Sequence, residues 1–257
     1  MSVRKFFDQS SEFYDAKYSS SASPYLHHFF VERLKAATAG LDPAGKIIWD
    51  IGAGTGQLYR HLSDAAPDFD YHAVDISEHM LLKSPIPADR RHVGTFPDVA
   101  NLIADHSVDY FFMLGVTTYM SDEAITATFA LMREKAATGA RAMVTLTNRH
   151  SVEWLLQRAV SRALAVPAIG RAVGSEKRVA GQRFARNFMT LGHFRGLLPE
   201  GVNINAVCAL NQTFTPLNRW APGPSLAVER AIRVLTQKDS SLRRFLSSDF
   251  LVRLSFQ

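Results

Sequence analysis

Asp50-Ile51-Gly52-Ala53-Gly54-Thr55-Gly56 lies between an apolar run, Lys46-Ile47-Ile48-Trp49-Asp50, and a polar stretch from Gln57 to about Ala65. The run has the length and character of a buried strand, the stretch that of a helix. Three alternate glycines let the backbone between them turn tightly and approach a ligand without interference from Cβ. The helix that follows aims its free N–H groups at that ligand. Nineteen residues beyond Gly56, Tyr71-His72-Ala73-Val74-Asp75 reads as a second strand ending in a carboxylate. An acid at that place accepts hydrogen bonds from both hydroxyls of a ribose. The order strand, glycine turn, helix, strand, acid predicts an α/β fold whose ligand lies across the carboxyl edge of a parallel sheet.

The turn also discriminates between nucleoside ligands. The dinucleotide fingerprint Gly-x-Gly-x-x-Gly needs glycine at position 57, where this chain has Gln57. Asp50 beside the turn repels a pyrophosphate and suits a cation. S-adenosylmethionine carries a sulfonium and an ammonium and no phosphate, so the charge favours it over NAD.

Working outward, Ser23-Pro24 followed by Tyr25, Leu26, Phe29, Phe30, Val31 and Leu34 predicts a capped helix that stops at Gly40. Ser77 caps a short helix through Lys83, and strands are expected near Arg91–Thr95 and over Ser107–Leu114. A helix over Ser121–Ala137 has Asp122 and Glu123 at its positive end. Gly139 is expected to end it before a fifth strand, Arg141–Thr147. Beyond His150 the rhythm changes. Residues 151–186 read as helical but interrupted by Pro167, Gly170, Gly174 and Gly181. A helix around Asn187–Leu198, a strand over Val202–Leu210, a helix over Ser225–Thr236 and a final strand, Asp249–Phe256, complete the chain. The expected architecture is a Rossmann-like, mainly parallel seven-stranded sheet with helices on both faces and a helical cap inserted after the fifth strand. Residues 1–150 form the ligand-binding core, with an N-terminal helical lid. Residues 151–257 supply the cap and the last two strands of the same compact domain.

Composition agrees with a globular chain: 257 residues, 47% hydrophobic and 21% charged. A single cysteine, Cys208, excludes an intramolecular disulfide and fits a reducing, cytoplasmic setting. The first residues lack the apolar run of a signal peptide, and the apolar stretch near Val108–Met120 is too short to span a bilayer. Net charge is +5 but uneven, with −5 over residues 1–148 and +10 over 149–257. The basic half is either a solvated surface or a face for something anionic: a phosphorylated acceptor, a membrane surface or nucleic acid.

Asp-Ile-Gly-Ala-Gly-Thr-Gly followed by Ala-Val-Asp-Ile-Ser resembles the first two motifs of class I S-adenosylmethionine-dependent methyltransferases. Phe7-Asp8-x-x-Ser11-x-x-Tyr14-Asp15 resembles the N-terminal segment of their small-molecule branch. Ser107-Val108-Asp109-Tyr110 and Gly115-x-x-x-Tyr119 resemble the family's fourth-strand region. The resemblance covers roughly residues 6–150 and implies S-adenosylmethionine as cofactor. Asp50, Gly52, Ala53, Gly54 and Gly56 would border its methionine part, together with Leu114 and Gly115. Asp75 would hold the ribose, Ile76 would pack on adenine and Tyr14 would close over the cofactor. The family often has an acid after the third strand to contact the adenine amine. Here Gly94-Thr95-Phe96 stands in that place, leaving Thr95, Phe96 or the nearby Asp98 to substitute.

Methyl transfer from a sulfonium is an in-line displacement that needs alignment, worth about 7–11 kcal/mol, and for a hydroxyl acceptor the removal of a proton. His150, His193 and Tyr119 are the candidate catalytic or pocket residues, the histidines because they titrate near neutrality. The Asn/Asp-Pro-Pro-Tyr/Phe motif of amino-nitrogen methylation is replaced by Leu114-Gly115-Val116-Thr117, and no cysteine nucleophile stands near the ligand edge. The acidic cluster of metal-dependent catechol methyltransferases also has no counterpart after the fourth strand, so no metal is expected. The expected reaction is metal-independent O-methylation of a small-molecule, sugar or lipid-linked acceptor. Trp154, Leu155, Leu156, Val160, Leu164, Val166 and Ile169, interleaved with Arg158, Arg162 and Arg171, either cap the sheet or grip a lipid or phosphate-bearing acceptor, with peripheral membrane contact as one form of this. The alternatives are an RNA-modifying enzyme, against which stands the lack of a separate RNA-binding module, and a methyltransferase-like binding subunit without catalysis.

Overall fold

The computed structural model describes residues 2–21, 23–65, 68–156, 176–179, 182–185, 187–212, 221–236 and 240–257. The strands are β1 (Ile47–Ile51), β2 (Asp70–Asp75), β3 (Arg91–Val93), β4 (Val108–Met113), β5 (Ala136–Thr147), β6 (Glu176–Val179), β7 (Gln182–Ala185), β8 (Val202–Leu210) and β9 (Asp249–Phe256). The helices that matter for the site are α1 (Val3–Lys17), α2 (Pro24–Thr38), α3 (Gln57–Ser63), α4 (Glu78–Leu82), α5 (Phe96–Val99) and α6 (Asp122–Lys135). They are followed by α7 (Leu191–Leu197), α8 (Pro222–Leu235) and α9 (Ser241–Leu246).

Seven strands form one sheet in the order β3-β2-β1-β4-β5-β9-β8. β1 to β5 pair in parallel, and β9 runs antiparallel to both β5 and β8. The order reverses between β1 and β4, the place where a fold of this kind opens a crevice for its ligand. Alternation along each strand supplies both faces of the sheet with apolar side chains. Trp49, Phe111, Met113, Val144 and Leu146 join one buried cluster with Phe129 of α6 and Phe194 of α7. Ile48, Phe112, Met143 and Leu251 join the other with Tyr25 and Phe29 of α2 and Leu58 of α3. The sheet is therefore covered on both sides, as its near-continuous apolar strands require.

The helix starts follow from local chemistry. Ser23 accepts a hydrogen bond from Leu26 N and precedes Pro24, so α2 begins where expected. Ser77 caps α4 and Ser121 caps α6 in the same way.

Two expectations are corrected. Gly139 does not end a helix: α6 stops at Lys135, and the chain passes directly into β5. The β4–β5 register shifts between Val108 and Tyr110, and Gly139, at φ +79°, lies in the irregular stretch that absorbs the extra residues. Residues 151–186 are not helical throughout. Positions 152–156 are helical, but β6 and β7 pair as an antiparallel hairpin. Val160, Leu164, Val166, Ile169, Arg158, Arg162 and Arg171 lie outside the described residues. No described helix is long and apolar enough to cross a membrane.

Candidate active site

A cavity of about 840 Å³ opens at the carboxyl edge of the sheet, across the β1–β4 crevice. Its floor is the glycine turn and the ends of β2, β4 and β5, and its roof is α1. Tyr14, Asp50, Gly52, Ala53, Gly54, Asp75, Ile76, Thr95, Phe96, Leu114, Gly115 and Tyr119 all line it. Three sequence-derived candidates do not. Gly56 faces away, toward Ser84, Pro85 and Ile86, and closes the turn against them. His193 sits on the outside, its Nε2 2.8 Å from Asp122 Oδ2. His150 is likewise absent from the lining.

Gly52 shows why the turn needs glycine. It holds φ +76°, and a Cβ there would stand 2.2 Å from Val116 Cγ2. The β1 turn and the β4 turn are thus pressed together, leaving no room for a side chain between them.

Asp75 closes β2 with 8% of its surface exposed. Its Oδ2 accepts from Gly54 N at 2.8 Å and its Oδ1 from Ser77 N at 2.8 Å. A carboxylate has about four acceptor positions, so roughly two remain for the cavity. Burial raises its pKa to about 6, against the two backbone donors, which lower it. Asp50 is buried beneath the turn and accepts from the Tyr71 hydroxyl at 2.5 Å. Burial raises its pKa to about 7; the Tyr71 bond opposes that rise and the Asp75 charge adds to it. Buried carboxyls held this far above their usual range gain from a cation or from hydrogen-bond donors placed beside them.

The roof is fastened by the same chemistry. Ser2 caps α1, and Asp8 Oδ1 accepts from Ser77 Oγ at 2.6 Å. Asp15 Oδ1 accepts from Thr55 Oγ1 at 2.6 Å and from Gln57 Nε2 at 2.9 Å. Two turns of one helix thereby clamp the glycine turn and the end of β2. Between those anchors Tyr14 faces the cavity, its phenol pKa pushed well up, by burial first and then by Tyr18. It stays a hydrogen-bond donor at physiological pH.

Asp98, the third candidate for the adenine side, is spent locally. Its Oδ2 accepts from Thr95 N at 2.8 Å and Thr95 Oγ1 at 2.6 Å, capping α5. That leaves Thr95 and Phe96 facing the cavity.

Among the other residues that line the cavity, Arg33 and Asp249 were not singled out by the sequence. Arg33 of α2 lies over the Phe29 ring at 4.5 Å, and its Nη1 comes 3.2 Å from where a Gly115 Cβ would stand. Its buried Nε has no hydrogen-bond partner among the described residues. Asp249, the first residue of β9, lines the opposite end beside Thr147. Arg33 left no sequence signal that separates it from Lys35 two residues on in the same helix. Asp249 left none, because only the antiparallel return of β9 brings a strand's beginning to the ligand edge.

Among the described residues no group of three or more His, Cys, Asp or Glu side chains is placed to hold a metal ion. The donor set fits S-adenosylmethionine: a ribose acceptor with two open positions, carboxyls for a cationic sulfur compound, and for a carboxylate a guanidinium whose Nε has no hydrogen-bond partner among the described residues.

A family model described as a methyltransferase domain matches residues 49–142. No curated protein sequence matches the chain. Among solved structures, magnesium protoporphyrin IX methyltransferase from Synechocystis, with S-adenosylhomocysteine bound, is similar at TM-score 0.61 and 14% identity, covering 99% of this chain and 98% of that one. An S-adenosylmethionine-dependent methyltransferase from Mesorhizobium loti is similar at TM-score 0.54 and 17% identity, over 87% and 95% of the two chains. Geranyl diphosphate C-methyltransferase from Streptomyces coelicolor is similar at 0.55 and 12%, over 90% and 81%. Residues 49–142 thus match a methyltransferase domain, and the chain has the fold of these S-adenosylmethionine-dependent methyltransferases.

Proposed function

We propose that the protein is a metal-independent O-methyltransferase acting on a small amphipathic acceptor, a free small molecule or one carrying a sugar or lipid, in the cytoplasm. The observation that carries this is the two-sided cavity. Phe7 and Phe13 of α1, with Tyr18 just past its end, offer it an aromatic roof, while Thr118, Thr145, Thr147 and Asp249 offer a polar floor beyond Gly115. An acceptor with an apolar body and a hydroxyl is complementary to both.

In this reading Asp75 holds the ribose hydroxyls, Ile76 and Phe96 flank the adenine, and Asp50 lies under the ammonium side. Arg33 meets the amino-acid carboxylate above Gly115. Residues 1–150 supply this cofactor half, and residues 151–257 contribute Asp249 to the acceptor half. When bound, S-adenosylmethionine supplies an electrophilic methyl group. The chain's own task is to hold the acceptor oxygen in line with it and keep water out. Tyr119 packs edge-on against Phe7 at 5.2 Å and borders the passage between the halves.

Transfer of isotopically labelled methyl from S-adenosylmethionine to a panel of phenols, alcohols, glycosides and RNA, with products identified by mass spectrometry, tests the reading. O-methylated small molecules are expected. Label found in RNA, or on carbon or nitrogen alone, overturns it.

A further inference from the structure

The sheet order sets out the cavity's functional groups along its edge. Asp75 closes β2, Gly52 follows β1, Gly115 follows β4, Thr147 closes β5 and Asp249 opens β9. Neighbouring strands lie about 4.8 Å apart, so Asp249 stands roughly 10 Å, two strand spacings, from the β4 turn. Its carboxylate is therefore too remote to touch an acceptor atom aligned over that turn.

Two hydroxyls bridge the gap. Thr118 Oγ1 lies 2.9 Å from Thr147 Oγ1, and Thr147 Oγ1 donates to Asp249 Oδ1 at 3.3 Å. All three residues line the cavity. A hydroxyl has one proton to donate, and an ionised carboxylate only accepts. With the Thr147 proton directed to Asp249, Thr118 must be the donor to Thr147. The remaining lone pairs on Thr118 Oγ1 then make the free end of the chain an acceptor. The other carboxylate oxygen is held from behind: Oδ2 accepts from Ser248 Oγ at 2.7 Å and lies 3.5 Å from Asn211 Nδ2. Asn211 is itself fixed by a hydrogen bond from the Tyr25 hydroxyl. The chain thus has a fixed polarity, running from Thr118 inward to Asp249.

We propose that Thr118, Thr147 and Asp249 form a polarised hydroxyl chain that selects an acceptor bearing an O–H donor and removes its proton during methyl transfer. Thr118 is the catalytic residue, because it touches the acceptor; Thr147 and Asp249 act through it as positioning residues. The acceptor oxygen would form a bond to the methyl carbon as the carbon–sulfur bond of bound S-adenosylmethionine breaks, its electron pair leaving with S-adenosylhomocysteine, while the acceptor's O–H bond breaks and its proton passes to Thr118 Oγ1. Thr118 gives its own proton to Thr147, and Thr147 gives its proton to Asp249. Both threonines end as neutral hydroxyls, and Asp249 ends as a carboxylic acid that releases the proton to water. The inference rests on the proposed acceptor half of the cavity and adds what that half recognises.

The test is calorimetric and uses two probes of nearly the same shape, 4-butylphenol and 4-butylfluorobenzene, titrated into protein saturated with S-adenosylhomocysteine. The wild-type complex is expected to bind the phenol about tenfold or more tighter than the fluoroarene, which has no proton to donate. Thr147→Val keeps the side-chain shape and breaks the chain. It should bring the two affinities within about threefold of each other while S-adenosylhomocysteine binds as before. In Asp249→Asn the amide donates to Thr147, which frees the chain from its polarity, and the preference for the phenol should fall likewise. Equal binding of the two probes by wild type, or an undiminished preference in Thr147→Val, overturns the chain and leaves the acceptor half standing. Failure of both probes to bind the wild-type complex overturns both readings.

Discussion

Replacing Asp75 by asparagine tests the cofactor half at a single group. Its two oxygens already accept from Gly54 N and Ser77 N at 2.8 Å each, and its open acceptor positions face the cavity. Asparagine keeps one oxygen and turns an NH2 group toward one of those backbone N–H donors, so one donor loses its partner. The ribose also loses a charge-assisted bond, worth about 1.5–3 kcal/mol. That corresponds to roughly 10- to 150-fold weaker binding of S-adenosylhomocysteine by isothermal calorimetry at pH 7.5. Acid should mimic the substitution. The Asp75 pKa is raised to about 6 by burial, and donors on a ribose favour the ionised form. Only about a tenth of the carboxyl is ionised at pH 5, so this group should cost the wild type about tenfold in affinity between pH 7.5 and 5. The variant should lack that part of the slope. Equal affinities at pH 7.5, or identical slopes in the two proteins, would refute the ribose assignment.

Two further outcomes follow from other groups. Arg33→Met should weaken S-adenosylhomocysteine about tenfold or more and leave 5′-methylthioadenosine, which lacks the amino-acid carboxylate, bound as before. Loss of both ligands in calorimetry would mean that Arg33 serves the fold instead. Asp50→Asn should change how thermal stability varies with pH. The folded Asp50 pKa is raised to about 7 from a model-compound value of 3.8. The stability contribution of such a group is fully present below the lower value and is lost as pH rises through the upper one. The melting temperature of the variant, relative to wild type, should therefore rise between pH 5 and pH 8, by about 2–4 °C for each kcal/mol recovered. A constant difference across that window would show that Asp50 is not a buried, strained acid.

Much of the fold was legible because local signals agree. The apolar run at Ile47–Ile51, the glycine turn and the acid ending β2 share one meaning, and so do the serine caps at Ser23, Ser77 and Ser121. Gly139 misled because a glycine at positive φ serves a bulge as readily as a helix end, and nothing local separates the two. The region after His150 misled because short runs carry little periodicity, and pairing between strands is not written in either strand alone.

The amino-acid order was enough to predict the class of sheet and the glycine turn at its carboxyl edge, because those depend on contiguous residues and on backbone rules. Tertiary structure alone decided which side chains share the cavity. It turned His193 toward Asp122 on the outside, brought Arg33 over Gly115 and returned β9 so that Asp249 lies beside Thr147. Such meetings join residues tens to hundreds of positions apart. They follow from strand order and helix packing, which no short window of sequence contains.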